Sequence, residues 1–437
     1  MLDKLESQAS AVLEYVFYNF LDPATGKKSG RYGVFFLYHE VSYFEVGDAD
    51  EIHAMVDEAL AGISSPDGAG GGTEALYLRL IAPVESAKLL KRNMHLYIAP
   101  DRELFRLPFE LLTDAKGKAL MDKASVSYIS TGRDLLRMRS GQMKPGSAAI
   151  VADPQFNVEA AGAEPTTGGA KQRDNFEQLQ RKFRFIDIGG LWPEGIAELP
   201  GTALEAEVVR SLLAADIFTG SEAKKSVLQI IEPPDVLHIA THGFYKQAEA
   251  NADPFLNVGL LMAGAQPRNR GAEIEDEFGD GILNGRDVMA LNLNRTSLVV
   301  LSACETGKGT VLTGEGIQGL RRAFELAGVK TIICTLWKTD DMASAVFMSV
   351  FYENFIKRGI GTLKSLNAAK CFMRTATVAE LRENICFGAV SRQILASRLG
   401  DERKVRQYRE VYYRADVTER PYSHPFYWAG FVLQGDT

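Results

Sequence analysis

Asp235-Val-Leu-His-Ile-Ala-Thr-His-Gly243 and Ser297-Leu-Val-Val-Leu-Ser-Ala-Cys-Glu-Thr-Gly307 decide how this chain is read. Each begins as a β-branched and leucine-rich run of strand length. Each then reaches a reactive side chain, His242 or Cys304, close to glycines that let the backbone turn. In a parallel sheet the carboxyl ends of neighbouring strands open onto one crevice, so the two side chains are placed to meet there. A thiol attacks as thiolate, and a neighbouring imidazole both lowers its pKa and returns the proton to a leaving amine. The backbone N–H groups of Gly243 and Cys304 are the predicted donors to a developing oxyanion. Either residue alone reads as an ordinary core side chain, a small hydrophobe or a satisfied histidine. Their joint placement at two strand ends points instead to a cysteine peptidase. Sequence does not single out the group that holds the imidazole; a backbone carbonyl would serve.

Outward from these two strands the pattern alternates. Strands are predicted at Ala148–Ala152, Asp235–Thr241, Leu298–Ala303, Thr331–Leu336 and Tyr427–Leu433, with helices at Leu204–Ala214, Glu315–Ala327 and Met342–Lys357. Such alternation indicates an α/β fold with a mostly parallel sheet covered by helices. Ahead of it, Tyr32–Tyr38 and Val41–Val46 read as a hairpin, Ala49–Leu60 as a helix, and Gly68, Gly70, Gly71 and Gly72 as a flexible connection. A helix over Leu76–Leu90, a strand over His95–Ala99 and a short helix entered at Pro108 follow. This organisation divides the chain into an extension at 1–72, a second unit at 73–145 and the chemistry-bearing unit at 146–437. Polar insertions at Phe156–Arg184, Gln266–Gly281 and Gly400–Pro421 interrupt the last unit. Long connections of this kind are usually functional loops or disordered segments. One of them is expected to cover the cleft until a partner moves it.

Composition narrows the function classes. The 437 residues carry a net charge of -7, which argues against broad nucleic-acid affinity. No apolar run approaches the roughly 18 residues needed to cross a bilayer, and the first residues lack a signal peptide's regions, so a cytoplasmic protein without membrane association is expected. Cys304, Cys334, Cys371 and Cys386 show neither disulfide-framework nor metal-ligand spacing, consistent with reduced thiols. His238 and His242 lie about 13 Å apart if both sit on a strand, too far for one metal ion, and Ile239 replaces the glutamate a zinc-binding helix needs. No metal or cofactor is therefore expected, and His238 is assigned to packing behind the site. The glycines around Gly314-Glu-Gly-Ile-Gln-Gly-Leu320 lack the Lys-Ser/Thr ending of a nucleotide loop and read as a tight strand-to-helix turn. Arg403, Lys404, Arg406, Arg409 and Arg414, interleaved with Tyr408, Tyr412 and Tyr413, read as a solvated helical face, since Asp401, Glu402 and Glu410 dilute their charge.

Several of these stretches together resemble the CHAT family, caspase-like cysteine peptidases of clan CD that often follow tetratricopeptide repeats and are distantly similar to separase. The resemblance rests on Leu199-Pro-Gly-Thr202 with Glu205, His238-Ile-Ala-Thr-His-Gly243, Gly281-Ile-Leu-Asn284 and Leu301-Ser-Ala-Cys-Glu-Thr-Gly307. It continues through Gly314-Glu-Gly316, Gly319-Leu320, Thr335-Leu-Trp337 with Asp340 and Asp341, and His424-Pro-Phe-Tyr-Trp-Ala429. It implies a caspase-like three-layer sandwich with His242 as base and acid, Cys304 as nucleophile and Gly243 in the oxyanion hole. It also implies a non-catalytic subdomain from Leu76 to about Ser140. A role in prokaryotic defence or signalling is implied too, with a dedicated protein substrate and an upstream sensor as partners. No tetratricopeptide repeats precede the matching region here. Related peptidases select the P1 residue by charge, so Asp153, Trp337, Asp340 and Asp341 are candidate pocket residues, a buried carboxylate favouring a basic side chain. Asp341 reads equally well as the cap of the helix beginning at Met342. The competing reading is a catalytically silent scaffold or peptide-binding module.

Overall fold

The structure is a computed structural model that describes residues 5, 9–136, 146–157, 192, 195–246, 253–265, 281–302, 314–388, 414 and 416–435. Nearly all of the insertions at Phe156–Arg184 and Gln266–Gly281 and about two thirds of that at Gly400–Pro421 lie outside these residues, as does the basic and aromatic cluster apart from Arg414.

Among the described residues, eleven strands form one sheet in the order β3-β2-β1-β4-β5-β14-β13-β12-β8-β6-β7. In chain order these are β1 (Ser10–Leu21), β2 (Lys28–Leu37), β3 (Val41–Asp48), β4 (His95–Ala99), β5 (Ser125–Tyr128), β6 (Ala148–Pro154), β7 (Asp216–Gly220) and β8 (Val236–Ala240). β9 (Gly243–Tyr245), β10 (Val258–Leu261) and β11 (Ile282–Asn284) make a separate three-stranded antiparallel sheet. β12 (Leu298–Ser302), β13 (Thr331–Thr335) and β14 (Phe431–Gly435) return to the large one. Pairing in the large sheet is parallel except for β1–β2, β2–β3 and β13–β14.

Helices cover this sheet. Those that bear on the argument are α1 (Ala49–Ile63), α2 (Thr73–Leu80), α3 (Pro200–Leu212), α4 (Gly314–Leu326), α5 (Asp341–Tyr352) and α6 (Thr362–Thr375). The central strands β8 and β12 are apolar along nearly their whole length because both faces are covered. From Met342 to Tyr352, α5 is buried at every position, so it reads as apolar all round rather than as an amphipathic stripe. Asp48 caps α1 through its side chain, accepting from the N–H groups of Asp50 and Glu51.

The large sheet has a seam. β5 and β14 are joined by the single pairing of Tyr128 with Gln434, whereas β4–β5 and β13–β14 pair over four and five residues. Side chains reinforce the seam. Gln434 Nε2 donates to Ser130 Oγ at 3.0 Å and also reaches Glu325, and Ser130 Oγ donates to the same carboxylate. Deeper in, Lys370 Nζ of α6 lies 2.8 Å from Glu110 Oε1, both side chains being at most 3% exposed, and Tyr128 donates to Glu110 Oε2 at 2.6 Å. Burial pushes the Tyr128 phenol well above its ordinary pKa, so it remains a donor.

Several elements differ from the sequence expectation. The predicted helix over Leu76–Leu90 is two pieces, α2 and a turn at Ala82–Ser86, because Pro83 cannot continue the hydrogen-bond ladder. The last strand begins at Phe431 rather than Tyr427, since Pro425–Tyr427 form a 3-10 turn and Gly430 packs under the Trp337 ring. β1, the longest strand, was not anticipated, although its run of Val12, Tyr15, Val16, Phe17, Tyr18 and Phe20 carries high strand propensity.

Candidate active site

The chain places His242 two residues beyond β8, at the carboxyl edge of the sheet. Register sets that position. Ala240 pairs in parallel with Ser302 on one side and Ala152 on the other, so three strands reach the same rim together. The turn after β8 is clamped from the small sheet: Thr241 Oγ1 donates to Leu261 O at 2.5 Å, and Leu261 N–H donates to His242 O at 2.8 Å.

The imidazole of His242 is 3% exposed and sits against the rings of Phe156 and Trp192, with centroids 5.4 and 6.1 Å away. Its Nε2 lies 2.6 Å from Ala197 O. A carbonyl only accepts, so the proton of the neutral ring resides on Nε2 and the lone pair on Nδ1. Ala197 thus supplies the orienting carbonyl that sequence could not locate.

Beside His242 a cleft opens between the ends of β8, β12 and β13 and the first turns of α3 and α5, lined by Thr202, Glu205, Ser302, Lys338 and Asp341 among others. Thr202 braces its rim, donating to Leu199 O at 2.7 Å and accepting from Asp153 N–H at 3.0 Å. The lining is mostly hydroxyl and carboxylate, with exposed Lys338 at the edge.

The residues singled out from the sequence fall in different places. Gly243 is buried directly after His242 and starts β9. Asp341 borders the cleft, and a Cβ on Gly201 of α3 would lie 2.1 Å from its Cβ. Asp340, not Asp341, caps α5, accepting from Ala343 N–H at 2.9 Å. Trp337 is 4% exposed and donates from its indole to Phe426 O at 3.0 Å. Asp153 stands at the end of β6 with φ 49, a left-handed backbone unusual for a residue with a Cβ. Cys304 falls outside the described residues. Glu205 and Ala197 had no assigned role from sequence, although Glu205 stood three residues after the quoted Leu199-Pro-Gly-Thr202 stretch. Among the described residues, no group of His, Cys, Asp and Glu side chains is arranged to hold a metal ion, and no helix is long and apolar enough to cross a membrane.

A large, mostly parallel sheet flanked by helices, with a histidine at its carboxyl rim, is the frame of a caspase-like α/β protein. The sequence matches the CHAT domain over residues 72–436, and the chain belongs to that family. Among curated proteins it is similar to Tetratricopeptide repeat protein 28 of Mus musculus and of Homo sapiens, at 23% identity over 385 residues in each case. The alignment covers 83% of this chain but only 13% of either relative, so the chain spans a small share of their length.

Proposed function

We propose that this protein is a regulated cysteine endopeptidase in which His242 is the general base and acid and Cys304 the nucleophile. The observation that carries the reading is the His242 imidazole, whose Nε2 lies 2.6 Å from Ala197 O, so that the neutral ring keeps its proton there and Nδ1 is its basic nitrogen, in a side chain that lines a polar cleft. In support, β12 runs parallel to β8 with Ser302 opposite Ala240, so the chain leading to Cys304 leaves the sheet next to the chain leading to His242.

In this mechanism Nδ1 accepts the thiol proton and the sulfur attacks the scissile carbonyl. The backbone N–H groups of Gly243 and Cys304 stabilise the oxyanion. The imidazolium then protonates the leaving amine, and water hydrolyses the thioester. Phe156 and Trp192 keep one side of the imidazole dry, which strengthens these charge interactions. Asp341 is the cleft carboxylate that favours a basic P1 side chain.

The proposed substrate is a specific protein, and the proposed setting is prokaryotic defence or signalling under an upstream sensor in the cytoplasm. The name of the relatives, Tetratricopeptide repeat protein 28, supports a repeat-based sensor by analogy. Incubating wild type, C304A and H242A with a randomised peptide library tests the reading. Cleavage by the wild type alone, with Lys or Arg at P1, is the expected result. Absence of cleavage, together with no labelling by an electrophilic peptide ketone, would favour a silent scaffold.

A further inference from the structure

We infer that Glu205 is a positioning residue, which through Ser302 fixes the end of β12 from which the chain continues to Cys304. The inference rests on the proposed peptidase function and adds a residue to it. Glu205 projects from α3, is 1% exposed, and borders the cleft. Its Oε2 accepts from Ser302 Oγ at 3.0 Å. Its Oε1 lies 3.2 Å from His238 Nε2, off the line a directed hydrogen bond needs, so that contact is electrostatic rather than geometric. His238 is 0% exposed, and its Nδ1 lies 3.1 Å from Tyr352 OH of α5. A His238 tautomer with its proton on Nε2 lets Nδ1 accept from the Tyr352 phenol and turns the positive end of the N–H dipole toward the carboxylate, without a directed hydrogen bond to it.

The chain Ser302–Glu205–His238–Tyr352 therefore ties β12, α3, β8 and α5 together just beneath the cleft. Its place in the register gives it a functional meaning. Ser302 precedes Cys304 by two residues, Ala240 precedes His242 by two, and Ser302 and Ala240 are paired. A buried carboxylate is costly unless something recovers its hydration, and a serine hydroxyl at the last position of a strand is a directional partner for it. Losing the Ser302–Glu205 bond frees the end of β12 that precedes Cys304 by two residues. Displacements of about 1 Å at a reacting pair cost up to about a hundredfold in rate.

The test reads the dyad without any substrate. Alkylation of Cys304 by iodoacetamide is followed by peptide mapping in wild type, H242A, E205A, E205Q, S302A and E205A/S302A, with exposed Cys371 as the internal reference. Cys334 and Cys386 are buried, and burial pushes both thiols up, Cys386 to about 12, so their silence certifies that each variant is folded. Expected is a Cys304 rate that depends on His242 and falls about tenfold or more in E205A and in S302A. The double variant should be no slower than E205A alone, and E205Q, whose carboxamide oxygen still accepts from Ser302, should stay within a few-fold of wild type.

Wild-type reactivity in folded E205A or S302A overturns the inference, as does E205Q falling as low as E205A. If E205A exposes Cys334 or Cys386, S302A decides, since it removes only a hydroxyl. Should H242A react as fast as wild type, the dyad itself fails, a result distinct from failure of the positioning role.

Discussion

Substituting Gly201 by alanine tests how closely α3 and α5 must approach to shape the cleft. The added Cβ would lie 2.1 Å from Asp341 Cβ, and carbon atoms rest at about 3.5–4.0 Å, so the two helix starts must separate by more than about 1 Å. Neither atom is the tip of a flexible side chain, so the strain falls on backbone. Overpacking of this kind costs about 1–3 kcal/mol, which a lowered urea midpoint at unchanged m-value would report. The larger effect should be on chemistry, because the shift moves Thr202 and Glu205 of α3 away from Asp341 of α5 in the cleft that His242 also lines. A loss of about 10- to 100-fold in cleavage of the best library peptide is expected. The double variant G201A/D341G removes the opposing Cβ and should recover stability relative to G201A, though at some cost to the first turn of α5. If G201A cleaves within twofold of wild type and unfolds at the same urea concentration, the close approach of α3 and α5 does not shape the site.

Further expectations concern the frame. K370M strands Glu110 without its cation and should cost about 3–5 kcal/mol by denaturant unfolding, whereas K370M/E110L should regain most of it. Equal losses in both would refute the pairing. D340A removes the side-chain acceptor for Ala343 N–H and should cost about 1 kcal/mol in the same assay; no change would show that the cap is dispensable. Burial lowers the His95 pKa from 6.5 to about 4, with Ser127 Oγ 2.8 Å from its Nε2. The unfolded chain then binds more protons in that window, so stability is full above pH 6.5 and declines as pH falls toward 4. H95Q should flatten that part of the stability curve, and an unchanged slope would assign it to other groups.

The parts of the fold legible in sequence are those where one physical signal dominates. β8 and β12 are apolar runs with a glycine three and five residues further on, and both faces of the sheet demand that composition, so their identity and neighbourhood follow together. α5 was readable from length, but its end was not. The α-helical hydrogen bonds give way to a π-type turn over Glu353–Lys357, which no periodicity announces. β5 and β7 are too short, at four and five residues, for alternation to stand out. At the candidate site, the place of His242 at the sheet rim was legible because it follows an apolar strand, whereas Ala197 contributes only a main-chain oxygen and has no side-chain signature. Glu205 was visible as a residue but not as a partner, since the helix that carries it meets Ser302 across 97 positions of chain.

The seam between β5 and β14 also has a thermodynamic meaning. One backbone pairing couples the strands β3 to β5 with those from β14 to β7, while every other boundary in the large sheet is a longer ladder. Native-state amide exchange should therefore resolve two blocks of protection that open with separate free energies, joined through Gln434, Glu325 and the Lys370–Glu110 pair.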